Sequence, residues 1–483
     1  MENRKLGYSI DDYRNGVPPR AIGTETEYTD DSGVERLLSR YTTGIRAGLL
    51  PSHVNPRYFV STARQGVQSV VTSNGGEMYL DSATLEYATP ECTSPQEAVL
   101  HERIGEQIVV DTITRIALGR NPRLPTVYKR SGYVEVWSES RPTPLLKETS
   151  IGHHENYTSI NNIMEGIYAA PITHPGFHCL SDFLVLRKLI DGAGMVADDH
   201  FSITQKPTAI KYRTFERDTT HGRKKAFQQK GDRLEVRSGE GSKSDWATAF
   251  KLGLTSLVLR LIEHGKQPNH LKLSDPNAAL LNLAQNPLGY VALESGIRMR
   301  GIDVLKNIVD RAYELVQQYD DTPAYEHQAY TDFLKFYDDI HKVSLKDDDV
   351  AALADRIDWA ARYAFLVRQG ATHRTITTDD LQQVRYDLIW DRIGDNDIAR
   401  KWFSRFGHTA INVALAPPPH TRAETRVAIA RDLYKNSKLG HVSWDRIFSR
   451  NGTMYTSDHP LDLRMEPRPQ NILAAPNNDP DGV

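Results

Sequence analysis

A short run at residues 79–92, YLDSATLEYATPEC, combines a strand-like pattern with an unusual density of acids. Its three carboxylates are Asp81, Glu86 and Glu91. A second strand-like run, GTETEY, carries Glu25 and Glu27 at alternate positions, so both side chains lie on one face of a strand. Burying carboxylates is costly unless they are paired or bind a metal ion. The fold must therefore place these acids at the surface or in a site that uses them.

Further carboxylates with strand-forming neighbours stand at Glu155 and Glu235. Mg²⁺ prefers oxygen ligands, commonly carboxylates together with nucleotide phosphates. Arginines that would suit phosphate binding lie near the last of these runs; they are Arg217, Arg233 and Arg237. These residues predict an Mg²⁺–nucleotide site on a sheet. The sequence contains no GxxxxGK[ST] loop, and the glycines of GDRLEVRSGEGS are spaced wrongly for a dinucleotide-binding turn.

Each piece has a plainer interpretation. An ETE segment on a strand is usually a solvated outer face. The HHE segment at 153–155 is compatible with zinc, but its spacing differs from HExxH, and a surface loop is the commoner outcome. Paired carboxylates also occur in glycosidases. The additional carboxylates and arginines in strand context favour the metal site.

Composition narrows the class of protein. The chain has 483 residues, with 39% hydrophobic and 25% charged residues, which is typical of a globular protein larger than one ordinary domain. Its net charge of -3 predicts no nucleic-acid partner. No apolar run is long enough for a membrane span, and the N-terminus lacks the apolar core of a signal peptide. With only two cysteines, Cys92 and Cys179, a disulfide scaffold is excluded and a cytoplasmic location is expected.

Turn, loop and helix-cap signals along the chain predict four segments. The strand and helix patterns predict an α+β fold with antiparallel strands and helices packed behind them. The segments are a flexible arm at 1–20, a catalytic domain at 21–405, a small C-terminal domain at 406–470 and a disordered tail at 471–483. An Asn-Gly-Gly turn predicts a hairpin before residue 81. Ser94 and Glu97 form a capping box, and Ser244 caps a long helix that ends at Gly265.

Several motifs together resemble a known family. They are GTETEY, NGGEMYLDSATLEYATPEC, GHHENY, FLVLRKLIDGAG, DRLEVRSGEG, PPPHTRAETR and VSWD. In this order they resemble the Pup ligase and Pup deamidase/depupylase family, of the proteasome accessory factor A type, over residues 20–447. That family belongs to the glutamine-synthetase-like carboxylate–amine ligases. The resemblance implies a curved antiparallel sheet backed by helices, a small C-terminal domain beside it, and ATP with Mg²⁺ bound at one end of the sheet.

The resemblance and the residue chemistry above together give the expected residue roles. The expected metal ligands are Glu25, Tyr79, Glu86, Glu155 and Glu235. The expected nucleotide contacts are Thr89, Arg217, Arg237 and Trp444. The expected substrate-binding residues are Glu27, His154, Arg422 and Arg426. The expected catalytic residue is Asp81.

The chain departs from the family pattern in three places. Glu77 stands where the family has an arginine that would help to hold nucleotide. The spacing between Asp81 and Glu86 is one residue shorter. Glu235 follows Leu234 where the family has a histidine, and Glu-x-Arg at this position resembles the broader glutamine-synthetase pattern. These departures mark a divergent member.

The resemblance implies a two-step ligation. ATP phosphorylates the γ-carboxylate of a C-terminal glutamate on a Pup-like small protein, and a lysine amine of a target protein then displaces phosphate to form an isopeptide bond. Asp81 would attract the amine and take its proton. Two alternatives stay open: a depupylase-like hydrolase with Asp81 as nucleophile, and a non-catalytic binder of a Pup-like tail. Glu25 and Asp81 lie 56 positions apart (81 − 25), which leaves little room for the extra loop of the depupylases and favours the ligase.

Overall fold

The structure of the protein is a computed structural model. It describes residues 17–30, 59–61, 68–81, 84–118, 126–129, 132–136, 145–149, 152–158, 174–197, 199–205, 227–230, 233–395, 397–405, 416–436, 438–442, 446–457, 461 and 465–469.

Strands and helices alternate along these residues. The strands are β1 (Ile22–Asp30), β2 (Phe59–Ser61), β3 (Gln68–Val71), β4 (Glu77–Asp81), β5 (Thr84–Ala88), β6 (Val127–Tyr128), β7 (Gly132–Val136), β8 (Leu145–Thr149), β9 (His153–Thr158), β10 (Met195–Val196), β11 (Phe201–Ser202), β12 (Phe227–Lys230), β13 (Arg233–Val236), β14 (Tyr290–Ala292), β15 (Arg298–Arg300), β16 (Arg392–Ile393), β17 (Leu439–Val442), β18 (Arg446–Ser449), β19 (Thr453–Thr456) and β20 (Glu466–Pro469). The helices are α1 (Pro95–Leu118), α2 (Pro175–Leu186), α3 (Lys188–Asp191), α4 (Asp245–Glu263), α5 (Pro276–Gln285), α6 (Gly301–Val316), α7 (Ala324–Ile340), α8 (Asp358–Arg368), α9 (Leu381–Trp390), α10 (Ile398–Ser404) and α11 (Arg422–Lys435).

The main sheet has ten strands and is antiparallel at every described pairing. Eight of its strands lie in the order β12-β13-β9-β1-β5-β4-β3-β2. β6 pairs with the far end of β1 and also with β16. The predicted α+β fold, an antiparallel sheet backed by helices, is therefore confirmed. β1 lies near the middle of the sheet, between β9 and β5.

Strand alternation divides the main sheet into two faces. The helix face carries side chains that are fully or almost fully buried; they include Thr24, Tyr28, Leu85, Tyr87, His153, Glu155 and Leu234. The site face carries Glu25, Glu27, Tyr79, Glu86, His154 and Glu235, because cross-strand partners share a face. Carboxylates dominate the site face, whereas apolar and aromatic residues dominate the helix face.

Helices α1 and α4 cover the helix face. Tyr28 and Tyr87 pack with Ile104 and Ile108 of α1 in one buried cluster. Gly105 is required there, because a Cβ atom at this position would lie 2.1 Å from the ring of Tyr87. Helix α4 lies in the larger core cluster, together with residues of α2, α6 and α7.

Local sequence signals correctly predicted several chain reversals and helix ends. Gly75, in the Asn-Gly-Gly turn between β3 and β4, has φ of +86°, which glycine adopts without strain. The Ser94 hydroxyl accepts the Glu97 N–H at 3.2 Å. The carboxylate of Glu97 accepts the N–H of Thr93 at 2.8 Å instead of that of Ser94, so the capping box is displaced by one residue. Ser244 caps α4 as predicted.

The end of the predicted N-terminal arm is anchored in the structure. The carboxylate of Asp321 accepts the N–H of Val17 at 2.9 and 3.0 Å. Arg20 is buried and pairs with Glu263 at 2.8 Å. Residues 17–20, which were predicted to belong to the flexible arm, are therefore held in place, because a buried guanidinium pairs with α4 here. Residues 1–16 lie outside the described residues.

The C-terminal part contains α11 and a four-stranded antiparallel sheet, β17-β18-β19-β20. It packs against the main sheet through Val71 of β3, which joins a buried cluster with Val442 and Ile447. The predicted boundary at 405/406 stays a prediction, because 406–415 lie outside the described residues, as does the predicted tail at 471–483. In the described part of the chain, no helix has the length and apolarity that a membrane crossing needs.

Candidate metal and nucleotide site

Five neighbouring strands bring carboxylate, imidazole and phenol side chains together on the site face. Within the register of β1, Glu25 pairs with His154 of β9, and Glu27 pairs with Glu86 of β5. On the next strand, β4, Tyr79 pairs with Glu86. Glu235 of β13 pairs with Asn156, two residues beyond His154. The sheet thus converts five separate segments into one patch of possible ligands.

The imidazole of His154 lies among three carboxylates. Its Nδ1 atom is 3.4 Å from Glu25 Oε2, 3.7 Å from Glu235 Oε1 and 4.0 Å from Glu86 Oε1. We call these four residues the cation cluster; they are Glu25, Glu86, His154 and Glu235. One ligand atom from each of Glu25, Glu86 and His154 lies within 4.8 Å of the other two. Their side chains are 14%, 2% and 10% exposed, so all three ligands are nearly buried.

The electrostatic surroundings keep Glu25 ionised. Burial acts to raise its pKa, but the hydrogen bond from His154, the charge of Arg233 and a hydrogen bond from Asn156 outweigh burial and lower the pKa to about 2. Asn156 Nδ2 donates to Glu25 Oε1 at 3.1 Å. Glu25 is therefore an anion at every pH at which the protein would work.

Tyr79 lies beside the same anions. Burial and the charges of Glu25, Glu86 and Glu77 raise its pKa well above the ordinary tyrosine value. The phenol therefore stays neutral at neutral pH. A neutral phenol can direct its oxygen lone pairs at a cation or donate its proton to a carboxylate.

The donor set fits a divalent cation. Several carboxylates crowd into a nearly buried space, and the described cations nearest to them are two arginines at its edge. Arg233 lies 3.2 Å from Glu25, and Arg237 lies 3.2 Å from Glu235. Hard cations with two charges bind such oxygen-rich sites and relieve the repulsion between the anions. An imidazole nitrogen among the ligands is also compatible with Mn²⁺ or Zn²⁺.

Other predicted site residues lie on the same part of the sheet. Glu27 Oε2 accepts the N–H of Gly152 at 2.6 Å, which ties β1 to the start of β9. Asp81 is the last residue of β4, and its backbone pairs with Thr84. Thr89 Oγ1 accepts the N–H of Thr24 at 2.9 Å. The hydroxyl proton of Thr89 is left to donate elsewhere.

The prediction that Glu155 binds metal is wrong. Its carboxylate lies on the helix face and forms a bidentate pair with Arg187, at 2.7 and 2.8 Å. Tyr157 donates to the same carboxylate at 2.7 Å. Adjacent strand residues point to opposite faces, so His154 and Glu155 cannot both reach the cation cluster.

Arg422 and Arg426, which were predicted to bind substrate, both bind Glu91 in the structure. Arg426 is fully buried and donates from two nitrogens to the two carboxylate oxygens of Glu91, each at 3.0 Å. It also donates to the carbonyl of Gly75 at 2.7 Å. Arg422 Nε donates to Glu91 Oε1 at 3.0 Å. We call Glu91, Arg422 and Arg426 the domain clamp, because they join α11 to the main sheet.

Some predicted residues cannot be placed. Arg217 and Trp444, both expected to bind nucleotide, lie outside the described residues. Glu77, which stands where the family has an arginine, is buried at the start of β4. Asn156 was missed by sequence reasoning. Its position two residues after His154 in HHENY could have suggested that it shares the site face.

An antiparallel sheet with a cation cluster on one face and helices on the other is the arrangement that the resemblance to the carboxylate–amine ligases predicted. The model of the family described as Pup-ligase protein matches residues 20–448, which is most of the chain. The chain belongs to this family.

Similar proteins include both deamidase/depupylases and ligases. The chain is 26% identical over 418 residues to the Pup deamidase/depupylase of Mycolicibacterium smegmatis, covering 81% of this chain and 77% of that protein. It is also 26% identical over 441 residues to the Pup–protein ligase of Bifidobacterium longum, covering 84% of each chain.

Solved structures show the same fold. The ligase PafA, in its complex with the prokaryotic ubiquitin-like protein Pup, matches with a TM-score of 0.71 at 18% identity, over 93% of this chain and 91% of that chain. PafA in complex with ADP matches with a TM-score of 0.64 at 18% identity, over 82% of this chain and 87% of that chain.

Proposed function

We propose that the protein is an ATP- and Mg²⁺-dependent ligase that forms an isopeptide bond between the C-terminal glutamate of a Pup-like small protein and a lysine amine of a target protein. The observation that carries this proposal is the cation cluster, which lies on the site face of a sheet shared with PafA. The names of relatives that act on Pup support the choice of substrate.

We assign the cation to Glu25, Glu86, Glu235 and His154, with Tyr79 beside them. Bound Mg²⁺ would neutralise phosphate charge and so favour phosphoryl transfer. Arg237 lies at the edge of the cluster, where a guanidinium can bind phosphate oxygens.

We assign nucleotide contacts to four residues, two expected from the family motifs and two arginines expected from the chemistry of phosphate binding. They are Thr89, Arg217, Arg237 and Trp444.

Asp81 is proposed as the group that receives the amine. The terminal phosphoryl group of ATP passes to the γ-carboxylate of the glutamate, which gives ADP and a γ-glutamyl phosphate. The lysine nitrogen then attacks the acyl carbon, phosphate leaves and the nitrogen loses a proton. Free lysine is almost wholly protonated at pH 7, so a carboxylate that attracts the ammonium and accepts its proton serves both needs. Asp81 lies two positions beyond Tyr79 on β4, near the cation cluster along the strand.

Hydrolysis is the second candidate, because one of the relatives is a Pup deamidase/depupylase. In that reaction Asp81 would attack the amide carbon as a nucleophile. The short spacing of 56 positions (81 − 25) between Glu25 and Asp81 favours the ligase.

Nucleotide fate separates the candidates. The protein is incubated with ATP, Mg²⁺, a lysine-containing acceptor and a peptide that ends in glutamate. ADP released in a 1:1 ratio with a new amide, measured by mass spectrometry, supports ligation. Loss of the amide from an isopeptide-linked or glutamine-ended peptide, without ADP release, would instead support hydrolysis. Binding of the peptide with neither reaction would support a non-catalytic binder and overturn the proposal.

A further inference from the structure

A buried carboxylate on helix α1 lies directly behind the cation cluster. Glu102 is 1% exposed and lies between α1 and the helix face of the sheet. Its Oε2 atom accepts a hydrogen bond from the hydroxyl of Thr24 at 3.0 Å and lies 3.2 Å from Nε2 of His153. Thr24 precedes Glu25 on β1, and His153 precedes His154 on β9. One oxygen of Glu102 therefore holds the residues next to two members of the cation cluster.

The contact of the second ring nitrogen of His153 determines the direction of the hydrogen bond between His153 and Glu102. The ammonium of Lys251 lies 3.3 Å from His153 Nδ1, and an ammonium can only donate. His153 Nδ1 must then accept, so the ring proton is on Nε2 and is donated to Glu102. Lys251 is itself fixed, because it donates to the carbonyl of Glu240 at 2.8 Å.

The other oxygen of Glu102 is equally constrained. Glu102 Oε1 pairs with Lys129, whose ammonium also lies 2.8 Å from Glu106 and donates to the carbonyl of Ser242 at 3.1 Å. Lys129 is 2% exposed. Both Glu102 oxygens thus have charged or polar partners, and these contacts hold the carboxylate against the backs of β1 and β9.

We propose that Glu102 is a positioning residue for the cation cluster: through Thr24 and His153 it holds β1 and β9 so that Glu25 and His154 converge on one cation. This inference rests on the proposed function, because it requires the cluster to bind a cation. Burying a charged carboxylate is costly unless its partners are exact in geometry. Glu102 meets this condition through Lys129, Thr24 and His153, and two of these three partners lie next to members of the cation cluster.

Glu102→Gln tests the proposal with the metal alone as the probe. Mn²⁺ binding to the full-length protein, without nucleotide or peptide, is followed by electron paramagnetic resonance, and Mg²⁺ competition gives the second affinity. Removal of residues that orient metal ligands typically weakens metal binding by about 10–100-fold. Since Glu102 acts through the neighbouring residues, we expect a loss of about tenfold, at the lower end of that range.

Glu326→Gln is the matched control. Glu326 is also a fully buried carboxylate, and it binds Ser256 at 2.8 Å and Arg260 at 3.1 Å on the side of α4 that packs on α7. It should lose a comparable amount of stability and keep the wild-type affinity for Mn²⁺. Equal Mn²⁺ affinity in Glu102→Gln and in the wild type would overturn the positioning role.

A second pair of variants decides the question if Glu102→Gln does not fold. Thr24→Ser keeps the hydroxyl and should keep the affinity, whereas Thr24→Val removes the hydrogen bond and should weaken Mn²⁺ binding. Equal affinities in these two variants would contradict the proposal. Glu25→Ala separates this failure from that of the proposed function: if it binds Mn²⁺ as well as the wild type does, the cation cluster itself is misassigned.

Discussion

Glu91→Gln should loosen the attachment of the C-terminal part to the main sheet. Removing one partner of a buried ion pair costs about 3–5 kcal/mol, and Arg426 would be left fully buried without its carboxylate. The pKa of Glu91 provides a second route to this magnitude. Burial acts to raise this pKa, but Arg426 and Arg422 lower it from 4.5 to about 2. At about 1.4 kcal/mol per pH unit, that shift corresponds to about 3 kcal/mol.

The sign of the pH dependence follows from the lowered pKa. A carboxylate with a depressed folded-state pKa stabilises the fold above its unfolded value of 4.5, and this stabilisation is lost as the pH falls toward about 2. The difference in the free energy of unfolding between the wild type and Glu91→Gln should therefore shrink progressively below pH 4.5. At pH 7 the two proteins should differ by the full amount.

Hydrogen exchange of the amides of α11 measures this attachment. A difference of about 3 kcal/mol corresponds to roughly hundredfold faster exchange in Glu91→Gln at pH 7, since about 1.4 kcal/mol is a factor of ten. Arg431→Gln, an exposed change on the same helix, is the control and should alter stability by less than about 0.5 kcal/mol. Equal exchange in Glu91→Gln and Arg431→Gln would refute the assignment of the domain clamp.

Three further outcomes are expected. Asp81→Asn should abolish amide formation and leave ATP binding largely intact, as measured by product mass and by calorimetry; full activity would remove Asp81 from the reaction. Glu25→Ala should weaken Mg²⁺-dependent nucleotide binding, and an unchanged affinity would exclude Glu25 from the metal site. Glu155→Gln should lower the free energy of unfolding by about 3–5 kcal/mol, because it leaves Arg187 short of a buried partner. If its folded fraction binds Mn²⁺ more weakly than the wild type, the corrected role of Glu155 is itself wrong.

Much of the fold was predictable from local chemistry. The Asn-Gly-Gly turn, the Ser244 cap and the alternation of GTETEY each depend on residues within a few positions of one another, and the structure has all three features. The grouping of Glu25 with Glu86 was also predicted. It came from the cost of burying carboxylates and from the family motifs, because no local pattern states which strands become neighbours.

His154 and Glu155, which are adjacent in the HHENY motif, show what the sequence could not predict. HHENY was expected to contribute both His154 and Glu155 to the site, yet alternation allows only one of two adjacent strand residues to face it. The structure places His154 in the cation cluster and Glu155 against Arg187. Which of the two faces the cation cluster depends on the helices that cover the helix face of the sheet. Those helices come from distant parts of the chain.

The acidic run at residues 79–92 shows the same division. Its sequence by itself determined that the segment forms strands, that the acids need partners and that a cation suits them, because propensity, alternation and the cost of burying charge are local properties. Only the tertiary structure decided the partners. Glu86 joins residues from three other strands in the cation cluster, and Glu91 binds arginines more than 300 positions away. Such pairings are set by long-range packing, since a carboxylate pairs equally well with any cation that the fold brings within reach.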